Sequence, residues 1–367
     1  MSITRKIRNR QVLVIGGTGF IGFHIVRELC EAGHEVTLLC RNPDKAKAIV
    51  GSLGTIHYQK GDVTDPNSFE PGQVFHHIDA LIYAVGTDER DTAPTKNPYD
   101  YFYQGNVTTC IGFVEQAKNH GVKHAIILGS FFTCIDRSHP ELKLSKYHPY
   151  IRSRAEQLTE AMKLASRTFT INVVEIPFVF GHTDGHDTLW KSLVNYIRVM
   201  NPLIVTRGGA NCISVRTTAK AILGVLRHVR KSEPIPIGDE NLTWVELLER
   251  INAIANRRPK QIYLLRRGLF SDLTKMGAYF HEFFGRRSGL DQKHISELIN
   301  LNAFVETGKT KRRLRYEGED LEEALRETVK ACPKTALLSN LQKSLDWLND
   351  NTIRNLEIIR KIVPKKE

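Results

Sequence analysis

Val12-Leu13-Val14-Ile15-Gly16-Gly17-Thr18-Gly19-Phe20-Ile21-Gly22 is the stretch whose reading decides the fold. Four apolar residues read as a buried strand, and glycines follow at once. Glycine lets the chain turn tightly and lets its backbone approach a ligand closely. A helix comes next, with Ile21, Ile25, Val26 and Leu29 at helical spacing and a stop at Gly33. Its first turn offers unpaired N–H groups and the positive end of the helix dipole, which suit a pyrophosphate. Val36-Thr37-Leu38-Leu39-Cys40 then reads as a second buried strand. The unit is βαβ, and a dinucleotide is the expected guest, held by Gly16, Thr18, Gly19, Phe20 and Ile21.

About twenty residues past such glycines, a protein that binds NAD places a carboxylate on the ribose 2′-hydroxyl. Arg41 stands there instead. A guanidinium clamps a 2′-phosphate with charge-assisted hydrogen bonds, so NADP is the expected cofactor and NAD the second candidate.

Strands and helices keep alternating. Ile56-His57-Tyr58-Gln59 ends in Gly61-Asp62-Val63-Thr64-Asp65, and Ala80-Leu81-Ile82-Tyr83 runs into Ala84-Val85-Gly86. A fifth strand, Ala125–Ser130, and a sixth, Ile171–Pro177, follow. This rhythm predicts an α/β fold, a Rossmann doubly wound parallel sheet whose carboxyl-terminal strand edges line a ligand crevice. Asp62 and Val63 are then expected near the adenine, and Ala84, Val85 and Gly86 near the second ribose.

Together with Asn106, Tyr150-Ile151-Arg152-Ser153-Arg154 and Pro177-Phe178-Val179-Phe180-Gly181, these motifs make the chain resemble the extended short-chain dehydrogenases/reductases of the NAD-dependent epimerase/dehydratase kind. The likeness covers residues 10 to 260. Gly208–Arg216 and Ile237–Trp244 resemble the substrate-domain signatures of atypical members. The resemblance implies a nucleotide-binding domain over residues 1–180, with 213–231 returning to it, a smaller C-terminal substrate lobe over 181–263, and a mostly helical extension over 264–367. It also adds Pro177 and Val179 to the cofactor contacts.

The family's chemistry rests on a Tyr-x-x-x-Lys pair on one helix face. Pro149 suits a first helical position, so Tyr150 falls in the first turn with Arg154 beneath it. Arg154 stays protonated, so it stabilises a tyrosinate and holds ribose hydroxyls but passes no proton onward. The family's serine run is replaced by Gly129-Ser130-Phe131-Phe132-Thr133, and the usual hydroxyl position falls nearest Phe131. Ser130 is the first choice for the hydroxyl, with Thr133 as its alternative. No acidic residue follows there, which turns the expectation from elimination toward hydride transfer. Tyr99–Tyr103 and Phe131-Phe132 suggest an aromatic-walled pocket for an apolar small molecule, against the alternative that they pack in the core.

Six cysteines without Cys-x-x-Cys spacing fit reduced thiols and a reducing compartment. The 14 histidines are scattered, and His76-His77 and His182–His186 read as solvated loops, so no metal is expected. Arg5, Lys6, Arg8 and Arg10 before an apolar run imitate a signal peptide, yet that run contains the nucleotide loop and is broken by His24 and Arg27. A cytoplasmic location without a transmembrane span is expected. The net charge of +12 is spread, with 20 basic and 15 acidic side chains from residue 264 onward. Even Lys309–Arg315 runs directly into acidic residues, which argues against nucleic acid.

The stripe Leu269, Leu273, Met276, Phe280 and Phe283, flanked by Arg266-Arg267 and Arg286-Arg287, suits a helix capping the pocket better than one resting on an anionic membrane. Leu338, Leu341, Leu345, Leu348, Leu356, Ile359 and Ile362 read as a last helix that docks on the body or on a second copy, and the family resemblance makes a homodimer the expected assembly. The leading expectation is an NADP-dependent oxidoreductase acting on a carbonyl or hydroxyl substrate with Tyr150 as acid/base. The alternatives are a sugar-nucleotide epimerase or dehydratase, or a non-catalytic NADP(H) sensor whose site has eroded.

Overall fold

The computed structural model describes residues 9–93, 97–186, 188–266, 268, 287–318 and 321–333. Seven strands form its central sheet: β1 (Gln11–Ile15), β2 (Glu35–Cys40), β3 (Ile56–Lys60), β4 (Ala80–Tyr83), β5 (His124–Ser130), β6 (Thr170–Ile176) and β7 (Glu233–Pro236). The order is β7-β6-β5-β4-β1-β2-β3. Every pairing within it is parallel, which makes this a Rossmann-type α/β fold. The interior strands are apolar almost throughout because helices cover both faces. One face packs Val12, Val14 and Ile82 against helix α1 (Phe20–Glu31) and a helix over Val215–His228. The other packs Leu13, Leu81 and Ile127 against the helices Thr109–Asn119 and Pro149–Leu164. We label Pro149–Leu164 α2 and Val215–His228 α3.

Strand β7 is the element that the sequence pattern did not reveal. Its residues Glu-Pro-Ile-Pro carry two prolines, which removes ladder donors and suits only an edge, and an edge is where it lies.

A second sheet builds the other lobe. Gly209–Ser214 pairs antiparallel with Glu240–Thr243 and parallel with Phe178–Phe180 and Asn302–Ala303. Helices Lys191–Val199, Trp244–Ala255 and Leu321–Lys330 close over it around Phe180, Val194, Ile197 and Leu325. Described residues from the C-terminal stretch pack into this lobe. Ala303 adds to this sheet, while Leu321, Ala324, Leu325, Val329 and Cys332 share the lobe's core. The basic run Lys309–Arg315 is likewise more than a solvated face: Lys311 pairs with Asp239, Arg313 with Glu233, and Leu314 packs against Gly224 of α3. The stripe from Leu269 to Phe283 and the last leucine-rich stretch from Leu338 lie outside the described residues. No described helix is long and apolar enough to cross a membrane.

Candidate active site

Gly16 sits at φ +81°, where an added Cβ would press on the Ala84 carbonyl at 2.6 Å. A Cβ on Gly22 would meet the Gly16 carbonyl oxygen at 1.9 Å, so loop and helix touch backbone to backbone. The Gly19 N–H closes the turn onto the Gly16 carbonyl at 2.9 Å, and no acidic residue occupies the first turn of α1. This shape and charge fit a dinucleotide diphosphate, and the cradle is too tight for a side chain at Gly16 or Gly22. The second lobe holds the loop from outside. Thr183 donates to the Phe20 carbonyl at 2.9 Å, and a His186 ring nitrogen lies 2.5 Å from the Thr18 carbonyl. The His182–His186 stretch thus packs on the phosphate loop instead of lying free in solvent.

Arg41 is exposed at the end of β2. Asp62, which follows β3, accepts from the Thr64 backbone at 2.9 Å and its hydroxyl at 2.8 Å, and these bonds hold its carboxyl below the ordinary range, with Arg41 helping. Val63 is partly buried beside it.

Beyond β4, a cavity of about 210 Å³ is walled by Ile21, Ala84, Val85 and Gly86 on one side and by Ser130, Tyr150, Arg154, Pro177 and Val179 on the other. It brings together most of the residues expected at the nicotinamide end. Helix α2 supplies the two central ones. The Arg154 Nε donates to the Tyr150 hydroxyl at 3.3 Å, one helical turn away. Burial pushes the Tyr150 phenol above its usual value, while Arg154 and a hydrogen bond from Ser130 pull the other way. Phe102 and Phe132 meet the Tyr150 ring edge-on, and the Tyr150 N–H donates to the Gly289 carbonyl at 2.9 Å.

Asn106 ties this cluster to β4. It lies in a π-helical turn over Gln104–Thr108, where its Oδ1 accepts from the Thr87 N–H at 2.8 Å and from Arg154 at 3.4 Å. Gln157 accepts from Arg154 at 2.9 Å and donates to the Asn106 carbonyl. Gln157 is a residue that the motif reading passed over, although it falls seven positions after Tyr150 on the same helix face.

Two expectations are corrected here, and one feature is added. Thr133 is unavailable, because its hydroxyl is spent on the buried Glu175 carboxylate and the Ser130 carbonyl. Glu175 in turn pairs with Arg137 at 2.7 Å. Of the segment Tyr99–Tyr103, only Phe102 reaches Tyr150; the Tyr99 hydroxyl turns to Glu156, and none of the segment lines the cavities described here. Carboxylates do face the site, but from the loop after β4. Asp88 and Glu89 line the small cavity, with Arg90 forked onto both Asp88 oxygens at 2.5 and 2.6 Å. Burial and the Asp88 charge raise the Glu89 carboxyl. Arg90 also donates to the Leu189 carbonyl and sits 5.7 Å from the Trp190 ring, joining the two lobes.

Phe131 is buried at the end of β5. Together with Phe132, Phe178 and Trp190 it forms the wall between the small cavity and a second one of about 600 Å³ reaching into the other lobe.

The NAD(P)H-binding family model matches residues 16–171. A UDP-glucose 4-epimerase of Klebsiella pneumoniae is 30% identical over 125 residues, covering 33% of this chain and 88% of that one. The UDP-glucose 4-epimerase of Erwinia amylovora is 29% identical over 124 residues, and there the chain spans 36% of the relative's length. The solved UDP-glucose 4-epimerase of Bifidobacterium longum in complex with NAD+ and UDP superposes with a TM-score of 0.60 at 17% identity, over 88% of this chain and 97% of that one. The chain belongs to the extended short-chain dehydrogenases/reductases of the NAD-dependent epimerase/dehydratase family.

Proposed function

We propose that this chain is an NADP(H)-dependent oxidoreductase acting on a carbonyl or hydroxyl substrate, with Tyr150 as its acid/base. The single observation that carries this reading is the Tyr150 hydroxyl, bonded to Arg154 and lining the small cavity between the glycine loop and the larger apolar cavity. Gly16, Thr18, Gly19, Phe20 and Ile21 would hold the diphosphate, Arg41 the 2′-phosphate, and Ala84–Gly86, Pro177 and Val179 the nicotinamide half. When bound, the reduced nicotinamide supplies hydride to the carbonyl carbon.

Tyr150 then gives its phenolic proton to the carbonyl oxygen, whose π pair becomes the new O–H bond. Burial raises its pKa, which keeps the phenol protonated and ready to donate. Arg154 stabilises the tyrosinate left behind, and Ser130 donates to the same oxygen. Asn106 and Gln157 fix the guanidinium, while Phe102 and Phe132 fix the ring. The oxidative direction reverses each step.

The relatives' names favour a second reading, 4-epimerisation of a UDP-sugar. NADPH and NADH binding by calorimetry, followed by NADPH consumption with neutral ketones and with UDP-glucose, separates the readings. Net NADPH oxidation by a ketone is the expected result. UDP-glucose epimerisation without net oxidation overturns it, and so does tight NADPH binding with no turnover of either, as a sensor would show.

A further inference from the structure

The cavity of about 600 Å³ behind Phe131 has the size of a small-molecule site. Among the described residues that line it, none carries a charge. Its polar side chains are nearly all committed elsewhere. The Trp190 Nε1 donates to the Val179 carbonyl at 2.7 Å, and the Trp244 Nε1 to the Ile299 carbonyl at 2.7 Å. The Tyr196 hydroxyl donates to the Ile204 carbonyl at 2.6 Å and accepts from the Ile204 N–H at 2.7 Å. Both indoles therefore show the cavity only their hydrocarbon surfaces.

Thr206 is the exception. It is 3% exposed, it lines the cavity, and its Oγ1 has no hydrogen-bond partner. A buried hydroxyl left unpaired costs free energy, and a ligand group that meets it recovers that cost. A diphosphate here would lose its hydration against hydrocarbon, with no cation among the described lining residues to replace the water.

Resting on the hydride-transfer reading above, we propose that the substrate is a neutral, largely hydrocarbon ketone or alcohol whose far end carries a second hydrogen-bonding group, taken by the Thr206 hydroxyl, which is buried as it stands and reaches the cavity on a turn of χ1. The reacting carbonyl would sit beside Tyr150 in the smaller cavity, with Phe131, Phe132, Phe178 and Trp190, which line both cavities, parting to let the body through. The apolar body fills the larger cavity between Phe178 and Trp244. Thr206 selects among apolar ketones by what stands opposite the reacting group.

Binding without nucleotide tests this apart from any chemistry. The full chain is loaded with the neutral fluorophore N-phenyl-1-naphthylamine, then titrated with a rigid polycyclic keto-alcohol, with the same ketone lacking the distal hydroxyl, and with UDP-glucose. Both ketones should displace the fluorophore, the keto-alcohol about five- to tenfold more tightly. Thr206→Val should abolish that advantage and leave the simple ketone's affinity unchanged. Because the hydroxyl it removes is unpartnered, the variant's thermal midpoint should equal or exceed the parent's. Displacement by UDP-glucose, an equal effect of T206V on both ketones, or a lowered midpoint overturns the assignment. Ketone binding without NADPH oxidation would instead sink the hydride-transfer reading and leave the cavity's occupant class standing.

Discussion

The two ends of the crevice are determined by different parts of the chain. At the glycine loop the backbone itself makes the surface: Gly22 leaves 1.9 Å between an added Cβ and the Gly16 carbonyl, and Gly16 adopts a positive φ beneath the Ala84 carbonyl. At the substrate end, side chains from two lobes make the surface, with Phe131, Phe178, Trp190 and Trp244 meeting across the lobe boundary. Backbone contact tolerates few sequences, so the loop keeps its family pattern. A wall of side chains can be rebuilt one ring at a time without disturbing the sheet beneath it.

The largest expected effect lies where the two ends meet. Tyr150→Phe should lower kcat for ketone reduction about 10²- to 10⁴-fold, the usual worth of a positioned acid, and leave NADPH affinity within about threefold. The ring keeps its contacts with Phe102 and Phe132, so the fold should survive. The parent's reductive rate should stay flat below about pH 9, because a phenol raised by burial remains protonated there. The oxidative rate needs tyrosinate and should climb with pH over the same range. A loss under about tenfold in steady-state assays would remove Tyr150 from the chemistry and dissolve the contrast between a holding end and a reacting end.

The next effect is confined to the holding end. Gly22→Ala forces a methyl group into backbone and should weaken NADPH about ten- to a hundredfold by calorimetry, with a stability loss of about 1–3 kcal/mol. Gly112→Ala is the matched control, since a Cβ there meets nothing within 4 Å on the helix Thr109–Asn119. That change should be neutral or stabilise by up to about 1 kcal/mol. Equal behaviour of the two variants would show that the loop is not set by close approach.

The same contrast governs what the sequence could reveal. The βαβ start, the parallel sheet and the Tyr150–Arg154 pair were legible because each depends on local spacing: an apolar run into glycines, or two residues one turn apart. Strand β7 was not, since Glu-Pro-Ile-Pro carries neither an alternating nor a continuous apolar signal and pairs only because β6 leaves an edge open. Asp88, Glu89 and Arg90 belong to no motif in the sequence, and Arg90 meets Leu189 and Trp190 only in the folded chain. Thr206 had no signal at all. Its meaning comes from the absence of a partner in three dimensions, set by the commitments of Trp190, Trp244 and Tyr196.

The smallest expected effect concerns the outer rim of the holding end. Arg41 is exposed, and an exposed ion pair is screened by water and salt. Asp62 stands close enough for each charge to sense the other, and its carboxylate is kept ionised chiefly by the Thr64 backbone N–H, then by the Thr64 hydroxyl. A 2′-phosphate would therefore gain from Arg41 and lose part of that gain to Asp62. Arg41→Gln should weaken NADPH about five- to tenfold, leave NADH unchanged, and show less difference at high salt than at low. Asp62→Asn should shift the preference the other way, tightening NADPH by about two- to threefold. An Arg41→Gln variant that binds both nucleotides as the parent does would assign the cofactor preference to the tight loop alone, and the rim would then have no part in choosing the nucleotide.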